Sequence, residues 1–354
     1  NPDLEDTRAR TTIDEIALER VAGEDFANSI AQVAGVRTAG TNADAAKPII
    51  RGQQERRLLV LFDGVRHESQ KWGSDHATAI DPFSAGSISV IRGAAGARYG
   101  PDAIGGVILV EPPPMRTDPG VVGKFLSAYS TNGKRPYAAL RLDSGSEGGL
   151  STRVEGNAAV GSTQSAPNYL LGNTASKVWN VGGSVAYEWD GGMVQATVHH
   201  HDFVAGVFYG VNHNTPDELL TQFEAPVPVT AHVWKSTYEI DRPYQEVTHD
   251  ICVLSAELDG EWGSFESIYA FQINLRKEYE HVRMNRTHPQ YDLTLRTHSL
   301  DSTYAHPEAD YSFGTLEGGL GLQGGFQENV YTGLPLIPNF RSFSGGLYAY
   351  ERLS

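Results

Sequence analysis

Two kinds of hydrophobic pattern divide the chain near residue 115. Before that point, short apolar runs stand between glycines and prolines, as at residues 58–62 and 104–110, which is typical of buried strands. After it, apolar and polar residues alternate with a period of two, which is typical of strands with one apolar and one polar face. Three consecutive prolines, Pro112–Pro114, mark the change and predict a stiff linker, because proline cannot continue a central strand.

The alternating part predicts an antiparallel sheet. We predict about ten strands, at residues 123–130, 136–142, 150–160, 178–189, 193–202, 249–259, 264–277, 291–302, 312–326 and 343–353. The connections alternate between short and long along most of this series, as they do in outer-membrane β-barrels. The first connection, residues 131–135, is short where the rule requires a long one. A soluble β-sandwich would also alternate.

The first part predicts a mixed α/β unit. Phe26, Ile30 and Val33 have helical spacing within residues 24–33, and Gly35 follows as a stop signal. We therefore divide the chain into an N-terminal segment at residues 1–22, a mixed domain at 23–114 and a β-domain at 115–354.

Composition limits the function classes. The formal net charge is -15 and the pI is about 5.2, which argues against a nucleic-acid partner because phosphate binding needs cationic surface. The single cysteine, Cys252, excludes an intrachain disulfide. No phosphate-binding loop, Gly-x-Ser-x-Gly elbow or His-Glu-x-x-His pair occurs in the sequence. We predict that the protein is not an enzyme and has no resident cofactor. The N-terminus lacks a signal-peptide pattern, which suggests a mature or trimmed chain.

Five ordered motifs carry a family resemblance. They are SIAQVAGV at residues 29–36, IRGQ at 50–53, LVLFDGV at 59–65, AIDP at 79–82 and ISVIRGAAGARYGPDAIGGVILV at 88–110. The segment resembles the plug domain of TonB-dependent outer-membrane receptors. This resemblance implies a plug seated in an antiparallel transmembrane β-barrel, in the outer membrane of a Gram-negative bacterium. It also implies import of a scarce solute, with outer-membrane lipid and the TonB energy-transducing complex as partners.

The strand count is small for such a barrel. Plugged transporters have about 22 strands, whereas this chain supplies about half that number. We therefore expect either that the sequence is the N-terminal part of a receptor or that another polypeptide completes the wall, and we favour truncation. A TonB-pairing segment cannot be identified near the N-terminus.

A sharper resemblance concerns a metal site. WGSDHATAID at residues 72–81 resembles the plug apex of the zinc-uptake branch of these receptors, where an aspartate and a histidine bind metal together with barrel residues. By that match Asp75 and His76 are the first predicted ligands. His199 and His201 share one strand face, His200 points to the other, and His213 lies in the following loop; we add His199, His201 and His213 as predicted ligands. Four plug arginines, Arg51, Arg56, Arg57 and Arg92, could suggest anion binding, but the resemblance implies that such arginines face wall carboxylates in structural pairs.

Three functional hypotheses follow. The first is an importer of zinc or another transition metal. The second is a receptor for a metal chelate such as a siderophore, haem or cobalamin, which would use aromatic and arginine contacts. The third is a non-transporting, receptor-like component of a larger outer-membrane assembly.

Overall fold

The computed structural model describes residues 9–42, 44–69, 76–93, 99, 102–208, 215–280, 287–312 and 314–353. Within these ranges the chain forms a mixed α/β plug that packs against one face of a long antiparallel sheet. We call this sheet the wall. This is the predicted fold class. None of the described helices has both the length and the apolar composition that a membrane crossing requires.

The plug is built on a five-stranded sheet with the order β1-β6-β7-β4-β5. Its elements are β1 (Ala9–Asp14), α1 (Glu15–Glu19), α2 (Phe26–Ile30), β2 (Val36–Asn42), β3 (Ala45–Ile50), β4 (Leu58–Phe62), β5 (Val65–Arg66), β6 (Ser87–Arg92) and β7 (Gly106–Glu111). Strands β4 and β7 are parallel, and β2 and β3 form a separate hairpin. The sheet begins with β1, inside the segment that sequence analysis set apart at residues 1–22.

The helix α2 is shorter than the predicted 24–33. Asp25 caps its N-terminus by accepting a hydrogen bond from the backbone N–H of Asn28 at 2.7 Å. Beyond Ile30 the chain continues in turns to Gly35, which has φ +84°, a left-handed conformation that glycine adopts without steric cost. The predicted glycine stop is therefore in place, although the regular helix ends earlier.

The wall contains all ten predicted strands. They are β8 (Gly120–Ser130), β9 (Arg135–Gly145), β10 (Leu150–Gly161), β13 (Ser176–Trp189), β14 (Gly192–Gly206), β15 (Tyr244–Gly260), β16 (Gly263–Tyr279), β17 (Tyr291–Ala305), β19 (Gly314–Gly333) and β20 (Phe340–Leu353). Short strands β11 (Gln164–Ser165), β12 (Leu170–Leu171) and β18 (Ala309–Tyr311), and the helix α3 (Pro216–Glu224), lie in the connections. Neighbouring strands are antiparallel, and β8 and β20 are the two edges of the described sheet.

The two faces of the wall differ as the alternation predicts. Exposed apolar side chains cover the face away from the plug: Leu140, Leu142, Val154, Val160, Trp179, Val181, Val185, Tyr187, Val194, Val198, Leu254, Leu300, Leu320, Leu322 and Leu347. On β13 this band runs from Trp179 to Tyr187. At the tilt usual for barrel strands, that length corresponds to about 20 Å along the barrel axis. The opposite face packs on the plug, and Ile251, Val253 and Ala270 of the wall belong to the main plug core.

The proline linker is hydrogen-bonded to the wall. The guanidinium of Arg153 on β10 donates to the carbonyl oxygens of Pro113 and Pro114, at 2.8 and 3.0 Å, and to the Asp143 carboxylate at 2.6 Å. Proline has no backbone N–H, but its carbonyl oxygen still accepts hydrogen bonds. One buried arginine side chain supplies the donors for both proline carbonyls. The linker is held by hydrogen bonds as well as by its own stiffness.

Candidate functional site

The long connections between wall strands lie at one end of the wall, which we call the long-loop end. The tip of the β2–β3 hairpin is bound to this end. Asn42 donates to the carbonyl oxygen of Gly206 at 2.8 Å. The Asp44 carboxylate accepts hydrogen bonds from Arg135 and Ser176. Three wall strands thus bind the hairpin.

His76 reaches the same end of the wall on its other side. Its Nε2 atom lies 2.9 Å from Oε1 of Glu278, near the end of β16, and the histidine side chain is 1 % exposed. Arg276, fully buried two residues earlier on the same strand face, has Nη1 3.9 Å from that carboxylate oxygen. A plug imidazole and a wall carboxylate therefore meet across the boundary between the two units. We call His76 and Glu278 the apex pair.

His199 and His201 lie elsewhere. Both point from β14 toward the plug, whereas His200 faces outward and binds the Asp250 carboxylate at 2.6 Å, so the predicted division of the triplet between the two faces is correct. The His199 ring packs edge-on against Phe62 with centroids 5.0 Å apart. Nδ1 of His201 donates to the Asn180 side-chain oxygen at 2.6 Å.

The predicted ligands do not form one site in this structure. His199 and His201 line a cavity with His67 and His249, whereas His76 lines a different one. Asp75 and His213 lie outside the described residues. Among the residues that are described, no three His, Cys, Asp or Glu side chains are arranged to hold a metal ion.

On the side of β8–β10 the plug meets the wall through ion pairs. Arg141 of β9 binds Glu15 of α1 at 2.8 Å and Glu155 of β10 at 2.7 Å. Lys124 of β8 also binds Glu15, at 2.6 Å. Arg57 donates to Gln53, and Arg92 donates to Ala34 and Thr11, all within the plug. The pairing of plug arginines with wall carboxylates stays a prediction. In the ion pairs described above, wall cations bind plug carboxylates.

Two half-buried plug aspartates have raised pKa values. Burial raises the pKa of Asp25 to about 7, although the hydrogen bond from the Asn28 N–H acts to lower that pKa. Burial, reinforced by the nearby Glu155 carboxylate, likewise raises the pKa of Asp81 to about 7. Asp81 accepts a hydrogen bond from Asn157 at 2.5 Å, so a titratable plug residue contacts the wall.

Sequence reasoning missed Glu278 and His249. Glu278 was assigned to a loop because the β16 alternation was followed only to residue 277, although β16 extends through Tyr279. The predicted strand begins at His249, whereas β15 begins at Tyr244. Extending the period of two backwards would have placed His249 on the inward face with Gln245 and Val247. The signal was present in both cases at the strand ends.

The comparisons with known proteins agree with this architecture. Residues 2–107 match a family profile described as "TonB-dependent Receptor Plug Domain". This part of the chain is a TonB-dependent receptor plug domain. Over 92 residues the chain is 34% identical to the vitamin B12 transporter of Photobacterium profundum, a match that covers 26% of this chain and 15% of that relative. Over 86 residues it is 34% identical to the hemin receptor of Yersinia pestis, covering 24% of this chain and 13% of the receptor.

Solved structures extend the similarity to the wall. A mutant ferric enterobactin receptor from Pseudomonas aeruginosa superposes with a TM-score of 0.71 at 15% identity, covering 99% of this chain and 56% of that one. The unliganded ferric citrate transporter FecA gives a TM-score of 0.67 at 16% identity, covering 98% of this chain and 54% of that one. At such identities the likeness shows the fold, a plug with the antiparallel sheet of a TonB-dependent receptor barrel. The chain spans about half the length of these structures.

Proposed function

We propose that the chain acts in TonB-dependent import across the outer membrane of a Gram-negative bacterium and that its cargo is a transition-metal ion, zinc in the first instance. The observation that supports this proposal is the apex pair, because an imidazole from the plug and a carboxylate from the wall lie 2.9 Å apart at the long-loop end. Imidazole nitrogen and carboxylate oxygen are both common zinc ligands.

The spacing of the apex pair is close to that of two ligands on one metal ion. Ligand atoms about 2.0–2.2 Å from a tetrahedral zinc ion are separated by about 3.3 Å. Nε2 of His76 and Oε1 of Glu278 would need to part by a few tenths of an ångström. Asp75, adjacent to His76 in sequence, and His213 remain the proposed additional ligands, with His199 and His201 assigned to a deeper position.

A site shared between two units couples binding to plug movement. His76 belongs to the plug and Glu278 belongs to the wall. Displacement of the plug by TonB would therefore move the His76 imidazole away from the Glu278 carboxylate. Loss of a ligand lowers metal affinity, and the ion would be released toward the opened path. The energy-coupling partner supplies the movement, and the chain's own residues convert it into a change of affinity.

The test is uptake of radiolabelled zinc by cells that carry the complete receptor. His76→Ala and Glu278→Gln are each expected to lower uptake about tenfold or more, as loss of metal-site partners usually does. His306→Ala, which alters a histidine at the opposite end of the wall that binds the Pro307 carbonyl oxygen, is the matched control and should leave uptake unchanged. Wild-type uptake in both apex variants would contradict the zinc proposal.

A second candidate is a receptor for a metal chelate. The similar proteins carry names that refer to vitamin B12, hemin, ferric enterobactin and ferric citrate, and the described residues hold no three-ligand metal group. Under this hypothesis iron-loaded siderophore, haem or cobalamin would enter the receptor-bearing cells, and His76→Ala would leave that uptake intact. Uptake of zinc and of every chelate tested at the background level would instead favour the non-transporting component of an assembly.

A further inference from the structure

A row of polar side chains crosses the outward face of the wall, on the long-loop side of the apolar band. The ladder register defines this row, because directly opposite residues of an antiparallel sheet share a face and His200 faces outward. Its members are successive direct partners on β14, β15, β16, β17, β19 and β20: His200, Asp250, Ile273, Arg296, Glu328 and Arg341. All except the isoleucine are charged or titratable. We call these six residues the outer charged row.

A strip of rings lies two residues along each strand from the outer charged row, on the side away from the long loops. Phe271, His298, Phe326 and Phe343 are direct partners on β16, β17, β19 and β20. Their successive ring centroids are 4.7, 6.1 and 4.9 Å apart, so the four rings form a continuous aromatic strip. Membrane barrels carry aromatic girdles where the hydrocarbon meets the lipid headgroups. The outer charged row therefore lies at the level of the headgroups.

The outer charged row contains two ion groups of different net charge. At one end, Nδ1 of His200 lies 2.6 Å from the Asp250 carboxylate, so one imidazole faces one carboxylate. At the other end, two arginines share Glu328: Arg296 donates from Nη1 at 3.5 Å and Arg341 donates from Nε at 2.7 Å. Because arginine stays protonated, this second group has a net charge of +1. We call Arg296, Glu328 and Arg341 the arginine clasp.

The two guanidinium groups of the clasp are accessible from outside the wall. The side chain of Arg341 is 72 % exposed and that of Arg296 is 44 % exposed. Within the described ranges of the chain, neither guanidinium has an acceptor other than Glu328, although each has five N–H donors. Exposed ion pairs contribute little to folding, so stability does not account for two arginines on one carboxylate. Guanidinium donors match the oxygens of a phosphate group, which they bind in pairs.

The surface next to the clasp suits an acyl chain. Gly324 and Gly345 are direct partners on β19 and β20, one step beyond the aromatic strip, and neither has a side chain. No atom of the described residues lies within 4 Å of the position that a Cβ on Gly324 would take. Leu322 and Leu347 follow on the same face. A shallow apolar groove thus leads from the aromatic strip into the apolar band.

We propose that the arginine clasp is a docking site for the anionic phosphate headgroup of a lipid, whose acyl chains lie along the aromatic strip and the groove beyond it. The inference rests on the proposed function, since it takes the outward face of the wall to lie in the outer membrane. The excess positive charge selects an anionic headgroup. The apolar surface that continues from the clasp selects a lipid over free phosphate.

Lipid binding to the complete receptor in neutral detergent tests the proposal. The probe is dioleoyl phosphatidic acid, and dioleoylglycerol provides the same acyl chains without the phosphate. We expect the wild type to bind phosphatidic acid at least tenfold more tightly. Arg296→Gln and Arg341→Gln should each lower that affinity about fivefold, and the double variant about 25-fold. Arg352→Gln, which changes an exposed arginine paired with Glu317 at the other end of β20, is the matched control and should bind like the wild type.

The variant Glu328→Gln separates docking from structural pairing. It removes the carboxylate between the two arginines and raises the net charge of the clasp from +1 to +2. Phosphatidic acid should therefore bind severalfold more tightly than to the wild type. If the arginines served only to pair with Glu328, the gain would be absent, and an affinity equal to or below that of the wild type would overturn the docking site.

The remaining outcomes separate this inference from the proposed function. Equal affinity for the two lipids, or wild-type affinity in the double arginine variant, would overturn the docking site. Competition by inorganic phosphate at the concentration of the lipid would also overturn it, because free phosphate would then be the ligand. Unchanged binding of dioleoylglycerol shows that the double variant is folded. Zinc uptake that is insensitive to His76→Ala and Glu278→Gln, together with the expected lipid results, would contradict the metal cargo and leave the docking site supported.

Discussion

Arg135 and Asp44 form a buried ion pair where the hairpin tip meets the wall. Both residues are 8 % exposed, and Arg135 also donates to the Gly23 carbonyl oxygen. Removing one member of a buried pair leaves the other charge without compensation, which costs about 3–5 kcal/mol. This contact should therefore be one of the most sensitive single points of the plug–wall boundary.

We expect Arg135→Met to lower the free energy of unfolding of the plug by about 3–5 kcal/mol because Asp44 stays charged and buried. Arg135→Met/Asp44→Asn should recover a large part of that loss, since no uncompensated charge remains. Urea unfolding followed by a spectroscopic probe on the β2–β3 hairpin measures both. Equal destabilisation of the single and double variants would show that the ion pair is not the cause.

Single residues were predictable where a period of two fixed their face. The outward position of Trp179 and the split between His199 and His200 follow from alternation alone. The contact of His76 with Glu278 does not, because the residues are about 200 positions apart in sequence and no local pattern encodes which strand end stands beside a plug loop. The charge arrangement at the boundary was missed for the same reason: pairing such as Arg141 with Glu15 depends on how the plug is rotated in the wall.

Two short helical elements of the plug begin with half-buried, titratable caps. Asp25 caps α2, and Asp81 caps the 3₁₀ helix Pro82–Ser84 by accepting a hydrogen bond from the Phe83 N–H at 3.0 Å. Each has a folded-state pKa of about 7, above the ordinary 3.8. The folded plug therefore binds more protons than the unfolded chain between these values. Its stability from these two groups rises as the pH falls from about 7 to about 4.

The variant Asp25→Asn/Asp81→Asn should abolish that contribution, because asparagine remains a good helix cap and does not titrate. Measured against this variant, the wild-type urea midpoint should increase progressively as the pH is lowered from 7.5 to 4.5. The difference between the two proteins isolates the aspartates from other carboxylates. A constant or oppositely sloping difference would contradict the raised pKa values.

The linker is the second element with a specific weakness. Arg153 supplies donors to two successive proline carbonyls, so Arg153→Ala should loosen the segment and accelerate trypsin cleavage after Arg116 severalfold. Arg352→Ala, which removes an exposed wall arginine paired with Glu317, provides the control. Mass spectrometry of the fragment ending at Arg116 gives the rate. Identical rates in wild type and Arg153→Ala would show that proline stiffness alone holds the linker.

The elements themselves were more predictable than their ends. Alternation located every long wall strand, because successive side chains of a strand point to opposite faces and differ in polarity. Strand β15 begins five residues before the predicted start at 249, since Gln245 and Val247 become buried only through contact with the plug and neighbouring strands. The α2 helix is stopped early by the turns that lead to Gly35, an effect of packing rather than of helical spacing.

At the scale of the molecule, the boundary between plug and wall has two chemically different sides. Strands β8–β10 hold the plug through arginine and lysine pairs with carboxylates, whose cations do not titrate near neutral pH. Strands β14–β16 meet it through His199, His249 and the apex pair. The proposed metal site at the apex pair lies on the second side. A transition-metal ion would thus act on one half of the boundary while the other half continues to hold the plug.

The outward face of the wall decides whether this architecture lies in a membrane. Val198 is 53 % exposed in the apolar band at the middle of β14. If that face meets lipid, Val198→Arg should cost about 2–4 kcal/mol; if it meets water, the change should stay within about 0.5 kcal/mol. Phe223→Arg, at a 77 % exposed position of α3 in a long connection, is the matched control and should be tolerated. Folding of the complete receptor into lipid vesicles, titrated with urea, distinguishes these outcomes, and equal midpoints for Val198→Arg and wild type would refute a lipid-facing wall.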